Sequence, residues 1–158
     1  MYLVTHTALS LVIGNLIQNP LLAFVLAFVF HLLADLIPHD IKLFNKSANR
    51  ETKIKVFSQV TFIDMFLIFI LLFTLWQVNK LNLSLSLVLA IIGGILPDFL
   101  WGFDELTKGK IKFLNNFHKF HHWWHKLFYK KVYIQWWLAC IVQILFFIFF
   151  IVMYLKIF

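Results

Sequence analysis

The feature that most constrains this chain is the run from Val56 to Val78, whose sole ionisable residue is Asp64. As a helix, a run of that length crosses the hydrocarbon core of a bilayer. Four further apolar blocks accompany it: Leu3–Ile17, Leu21–Ile37, Leu83–Leu96 and Val132–Phe158. Hydrophobic residues make up 62% of the chain and charged ones 13%, a balance outside the range of soluble domains. The reading is an all-α, polytopic membrane helical bundle of four to five transmembrane helices. Leu3–Ile17 is the shortest candidate and carries His6, Thr7, Ser10 and Asn15. No Gly/Ser/Pro-rich linker divides the chain, so residues 1–158 read as one transmembrane domain. Met1-Tyr2-Leu3-Val4-Thr5-His6 lacks a basic n-region, and no signal peptide is expected.

Charge sets the expected orientation. Lys42, Lys46, Arg50, Lys53 and Lys55 lie between the second and third blocks. Seven lysines lie between the fourth and fifth, against Lys80 and Lys156 on the other side. The positive-inside rule then places both polar loops in the cytoplasm, in the inner membrane of a cell. The net charge of +7 is read as topology and attraction to anionic lipid, with no nucleic-acid partner expected. Cys140 is the single cysteine, so no internal disulfide can form.

The histidines and carboxylates map to that same side. His31 and Asp35 are four apart, about 40° apart around a helix, and can present an imidazole nitrogen and a carboxylate to one metal. A histidine hydrogen-bonded to its i+4 carboxylate is the alternative. His118, His121, His122 and His125 fall within an arc of about 100° on a helix, with Trp123 and Trp124 pointing elsewhere. That segment reads as an amphipathic, interfacial or re-entrant helix. Its imidazoles are either metal ligands or the wet face of a tryptophan-anchored helix.

Ionisable groups inside apolar spans are costly and tend to be functional. The expected metal ligands are His6, His31, Asp35, His39, Asp98, His118, His121 and His122. Asp64, Asp104 and His125 are the expected acid–base groups. Asp98 follows Gly93-Gly94 and Pro97, where a broken backbone is expected to line a polar cavity. A helix cap is the other reading of Asp98, and a tie between helices that of Asp64. Histidine and carboxylate without cysteine favour zinc, with manganese or iron as alternatives.

Thr5-His6, the Leu96-Pro97-Asp98 helix end and the late histidine cluster resemble the inner-membrane-associated metal-dependent hydrolases of the LexA-binding type. That family carries Pro-Asp-x-Asp and His-Arg…Thr-His-Ser elements. This chain departs from both: it has Pro97-Asp98-Phe99-Leu100, without the second Asp, and Phe117-His118-Lys119-Phe120-His121-His122 in place of the late element. The His31-Leu32-Leu33-Ala34-Asp35 segment is more distantly similar to helical zinc-dependent phospholipase C and nuclease families. The resemblance implies hydrolysis. A phosphoester or lipid-type substrate, drawn by lysines on the same face, is the expected target, with membrane lipid as the partner. A metal-ion or proton transport protein is the competing expectation, and a haem-binding electron carrier a third.

Overall fold

A computed structural model describes residues 2–37, 50–129 and 135–158. The described residues form six helices: α1 (Leu3–Leu16), α2 (Pro20–Ala34), α3 (Arg50–Gln77), α4 (Leu85–Thr107), α5 (Lys112–Tyr129) and α6 (Trp136–Ile157). No strand is present among them. The expected His39 and its neighbour Asp40 lie outside the described residues.

Three helices are long and apolar enough to cross a membrane. They are α3 over Ile54–Gln77, α4, and α6 over Trp137–Ile157, with mean hydropathies of 2.3, 1.8 and 2.8. Their outward faces are crowded with large apolar side chains such as Phe62, Phe69, Ile144 and Leu145. Helices α1 and α2 have 14 and 15 residues, so each rises only about 20 Å. Among the described residues there are thus three full-length candidate spans and a shorter apolar hairpin, and the expected four to five spans are not confirmed.

Helix α1 is the axis of the bundle. It is buried continuously from Leu3 to Gly14 and packs against α2, α3, α4 and α6. Its polar residues survive there because they bond backward along the helix. Thr7 Oγ donates to the Leu3 carbonyl at 2.9 Å, and Ser10 Oγ donates to the His6 carbonyl at 2.8 Å. Asn15 bonds the Leu11 carbonyl in the same way. The amides at its start, which have no partner within the helix, are met from other helices. Leu3 N–H donates to Asp64 Oδ2 of α3 at 2.9 Å, and Tyr2 N–H donates to Gln143 Oε1 of α6 at 2.6 Å.

Helix α4 continues through Pro97 to Thr107, so the backbone break expected there does not occur. Proline removes one amide donor, leaving the Gly93 carbonyl without its helical partner, and the flanking turns carry the helix onward. Gly93 and Gly94 allow the close approach of two neighbours. A Cβ on Gly93 would run into the Phe24 carbonyl of α2, and one on Gly94 into Ser10 Oγ of α1. Helix α3 (Arg50–Gln77) includes Arg50, Lys53 and Lys55, which lie inside the expected loop. Its first turns, Arg50-Glu51-Thr52-Lys53, hold no glycine or proline to stop a helix.

The bundle has two distinct ends. At one, Lys80 Nζ reaches the Phe158 carbonyl, Tyr154 Oη donates to the Lys80 carbonyl, and Ser86 Oγ donates to the Gln18 carbonyl. These bonds gather the α1–α2 turn, the α3–α4 turn and the end of α6. The first turn of α1, the end of α2 and the histidine face of α5 meet away from it.

Candidate metal centre

The centre is organised around Asp35, the C-cap of α2, whose carboxyl group is fully buried. Helical spacing brings His31 to it: His31 Nε2 lies 3.0 Å from Asp35 Oδ2. His6, one turn into α1, places Nε2 3.2 Å from Asp35 Oδ1, and its ring stacks on His31 at 3.8 Å between centroids. From α5, His121 Nε2 lies 3.3 Å and His125 Nε2 3.1 Å from Asp35 Oδ2. Three imidazole nitrogens therefore surround one carboxylate oxygen, and a fourth meets the other oxygen.

His31 defines the polarity of the group. Its Nδ1 lies 2.6 Å from the Gly94 carbonyl oxygen. A carbonyl oxygen only accepts, so Nδ1 carries the proton. In a neutral ring Nε2 is then a lone pair. It faces Asp35 Oδ2 and, at 3.7 Å, Asp98 Oδ1. Nε2 is buried and has no hydrogen-bond partner among the described residues. Such a nitrogen beside two carboxylates can be met by a metal ion or by a second proton on the ring. A backbone carbonyl fixing the far nitrogen is also how histidine ligands are oriented in metal sites.

His31, Asp35, Asp98 and His121 each offer an atom within 4.8 Å of the others. Ligands on a tetrahedral zinc stand about 3.4 Å apart, so small side-chain shifts bring this set to coordination distance. This group can hold a metal ion. Burial pushes the pKa of His121 below the ordinary histidine value, which keeps its imidazole neutral and available to a cation. Asp98 and His125 are the partly exposed members, with side chains 21% and 16% accessible, so the group opens to its surroundings on their side.

Helix α5 closes over the group with its histidine face. Phe117 stacks on His121, and Trp124 Nε1–H donates to the Leu32 carbonyl at 2.6 Å. The Leu32 carbonyl is one of four at the end of α2 that lack a partner within the helix. The Asp35, Leu36 and Ile37 amides meet the other three, on His31, Leu33 and Ala34.

The remaining expected residues sit elsewhere. His118 Nδ1 bonds Asp104 Oδ2 at 2.7 Å, and its Nε2 accepts from Trp101 Nε1–H at 3.1 Å. Both nitrogens of His118 are thus committed within the chain, and Asp104 is occupied with it. His122 is exposed, one residue beyond His121. Asp64 bonds the start of α1. Sequence reasoning missed the Gly94 carbonyl, Trp101, Trp124 and Gln143. The indole and amide groups were visible as buried-prone donors, but their targets are backbone atoms or distant side chains with no sequence signature.

Compared with known proteins, the chain matches no family model, no curated protein and no solved structure.

Proposed function

We propose that this protein is a membrane-embedded, metal-dependent hydrolase acting on a phosphoester of lipid type. The single observation that carries the reading is the meeting of His31, His121 and His125 Nε2 on one oxygen of buried Asp35. A buried carboxylate ringed by imidazoles, one of them oriented by a carbonyl, has the donor chemistry of a divalent-metal site. In this reading His31, Asp35, Asp98 and His121 hold the ion, and His6 steadies Asp35 through its other oxygen. Zinc is the favoured ion, with manganese or iron as alternatives. A divalent ion held there would supply Lewis-acid chemistry toward a water and a phosphoryl oxygen. His125, the more open imidazole beside Asp35, would serve as the group that takes and returns the proton. Resemblance to inner-membrane-associated metal-dependent hydrolases supports the same reaction class.

The position of the group favours an amphiphilic substrate. Asp98 lies 13 residues along α4 from Leu85, about 20 Å, and a hydrocarbon core is about 30 Å thick. With Leu85 at one membrane surface, the centre would lie roughly two thirds of the way across, toward the lysine-rich face that the positive-inside rule assigns to the cytoplasm. The α1–α2 hairpin enters as far as this centre and α5 covers it. Metal or proton transport, the second reading, draws its support from Asp64, whose carboxylate bonds the Leu3 amide at the start of α1.

Element-resolved metal analysis of detergent-purified protein tests the reading. About one divalent ion per chain, lost in His121→Ala, supports it, and release of headgroup from mixed phospholipid vesicles supports the reaction class. Metal well below stoichiometry, with no change on His121→Ala, means that a proton on His31 and not a metal answers the two carboxylates.

A further inference from the structure

Outside the metal group, one hydrogen-bonded chain of side chains joins α4 to α5. Asp104 is buried, and its Oδ2 takes the Nδ1 proton of His118 at 2.7 Å. His118 Nε2 accepts from Trp101 Nε1–H at 3.1 Å. The other Asp104 oxygen, Oδ1, has no partner among the described residues, so His118 is the side chain that compensates this buried acid. Trp101 is in turn held edge-on by Phe57 of α3, beside Gly102, where a Cβ would collide with the Phe57 ring. The anchor for His118 therefore reaches across α4 to a third helix.

We infer that Asp104, His118 and Trp101 form a positioning clamp that sets the register of α5 and so delivers His121 and His125, and not His122, to Asp35. The need for a clamp follows from the sequence of α5. Its four histidines share one face, and rotating the helix by one residue, about 100°, would carry His121 away and bring His122 round. Hydrophobic burial fixes that rotation only in part, because Phe117, Phe120, Trp123 and Trp124 form a single neighbouring face, of which Phe120 and Trp123 stay exposed. His118 precedes His121 by about one turn and His125 by about two. Because the helix is stiff, fixing His118 fixes both. His118 has neither nitrogen to spare for a metal, which makes it a positioning residue.

The test uses full-length protein in detergent with two readouts. The first is hydrogen exchange of the α5 amides without added metal, which does not depend on the proposed metal function. The second is Co²⁺ affinity with the visible spectrum of the bound ion, which does. His118→Ala is expected to speed exchange across Lys112–Tyr129 while leaving α1 and α2 protected. It is expected to weaken Co²⁺ by about ten- to a hundredfold, as losses of supporting residues do, and to alter the spectrum. His118→Asn, whose amide can donate to Asp104 and accept from Trp101, is expected to restore most of both. Unchanged exchange in His118→Ala overturns the clamp, as does an Asn variant no better than Ala. Failure of wild-type protein to take up Co²⁺ overturns the metal reading alone, and the exchange result still decides the clamp.

Discussion

The Nδ1–H of His31 is held by the backbone carbonyl of Gly94 at 2.6 Å, from a helix 63 residues further along the chain. This bond decides which nitrogen faces Asp35 and Asp98, and Gly94 also permits the close approach of α1 to α4. The α1–α4 contact is so close that a Cβ at position 94 would overlap Ser10 Oγ. The same residue lets the helices meet and supplies the oxygen that sets the tautomer.

Gly94→Ala should therefore harm packing and chemistry together. Overpacking a tight helix contact costs roughly 1–3 kcal/mol. The shift needed to relieve it also moves the carbonyl away from His31. Gly14→Ala is the control, because its Cβ would press on Leu87 in the same helix pair but away from the centre. Both variants should melt earlier than wild type. Only Gly94→Ala should also lose metal affinity, measured by competition with a chromophoric chelator.

Asp35→Asn separates charge from shape. The amide fills the same volume but brings no negative charge to the nitrogens of His6, His31, His121 and His125. Metal affinity should fall by more than the roughly hundredfold seen at supporting positions, because Asp35 would itself be a ligand. Metal content after dialysis against dilute chelator measures this. Retention of wild-type metal would remove Asp35 from the site.

The sequence made some of this centre legible and hid the rest for identifiable reasons. The approach of His31 to Asp35 follows from a four-residue spacing on one helix, which any reader of periodicity can see. The separation of His121 from His118 and His122 does not follow, because all of these side chains lie on one helical face. Only the docking of α5 on Asp104, Trp101 and Leu32 distinguishes them. Pro97 read as a break, yet α4 absorbs it within a continuous helix. Asp64 read either as chemistry or as a tie between helices, because an acid inside an apolar run is costly, and its bond to α1 is of the second kind. Its partner is a backbone amide at the start of α1, and no side-chain pattern announces a backbone amide.

Substitutions at Asp64 separate its two readings. Asp64→Leu leaves the Leu3 amide buried without an acceptor, which costs about 1–3 kcal/mol. Asp64→Asn keeps a carbonyl oxygen for that amide and should be milder. Both should retain the metal content of wild type. Thermal unfolding in detergent, ranked wild type, Asn, Leu, checks the order. An Asn variant that folds as wild type but loses its metal would return Asp64 to the chemistry.

The adjacent histidines of α5 make the last comparison. His121 is 4% exposed and 3.3 Å from Asp35 Oδ2, whereas His122 is exposed beside it, its ring edge-on to His118. Composition and helix propensity are the same for the two alanine variants, so differences between them report position alone. His121→Ala should abolish stoichiometric metal and slow any hydrolysis by at least tenfold, because it removes a ligand from the set of four. His122→Ala should change either quantity by no more than about twofold. The two variants should also respond differently to added imidazole, since only His121→Ala leaves a space beside Asp35 for a small nitrogen ligand to enter. Recovery of metal binding in His121→Ala with imidazole, and no response in His122→Ala, would identify His121 Nε2 as a direct ligand. Equal loss in both would mean that the histidine face of α5 acts as a whole and that Asp35 does not select one side chain from it.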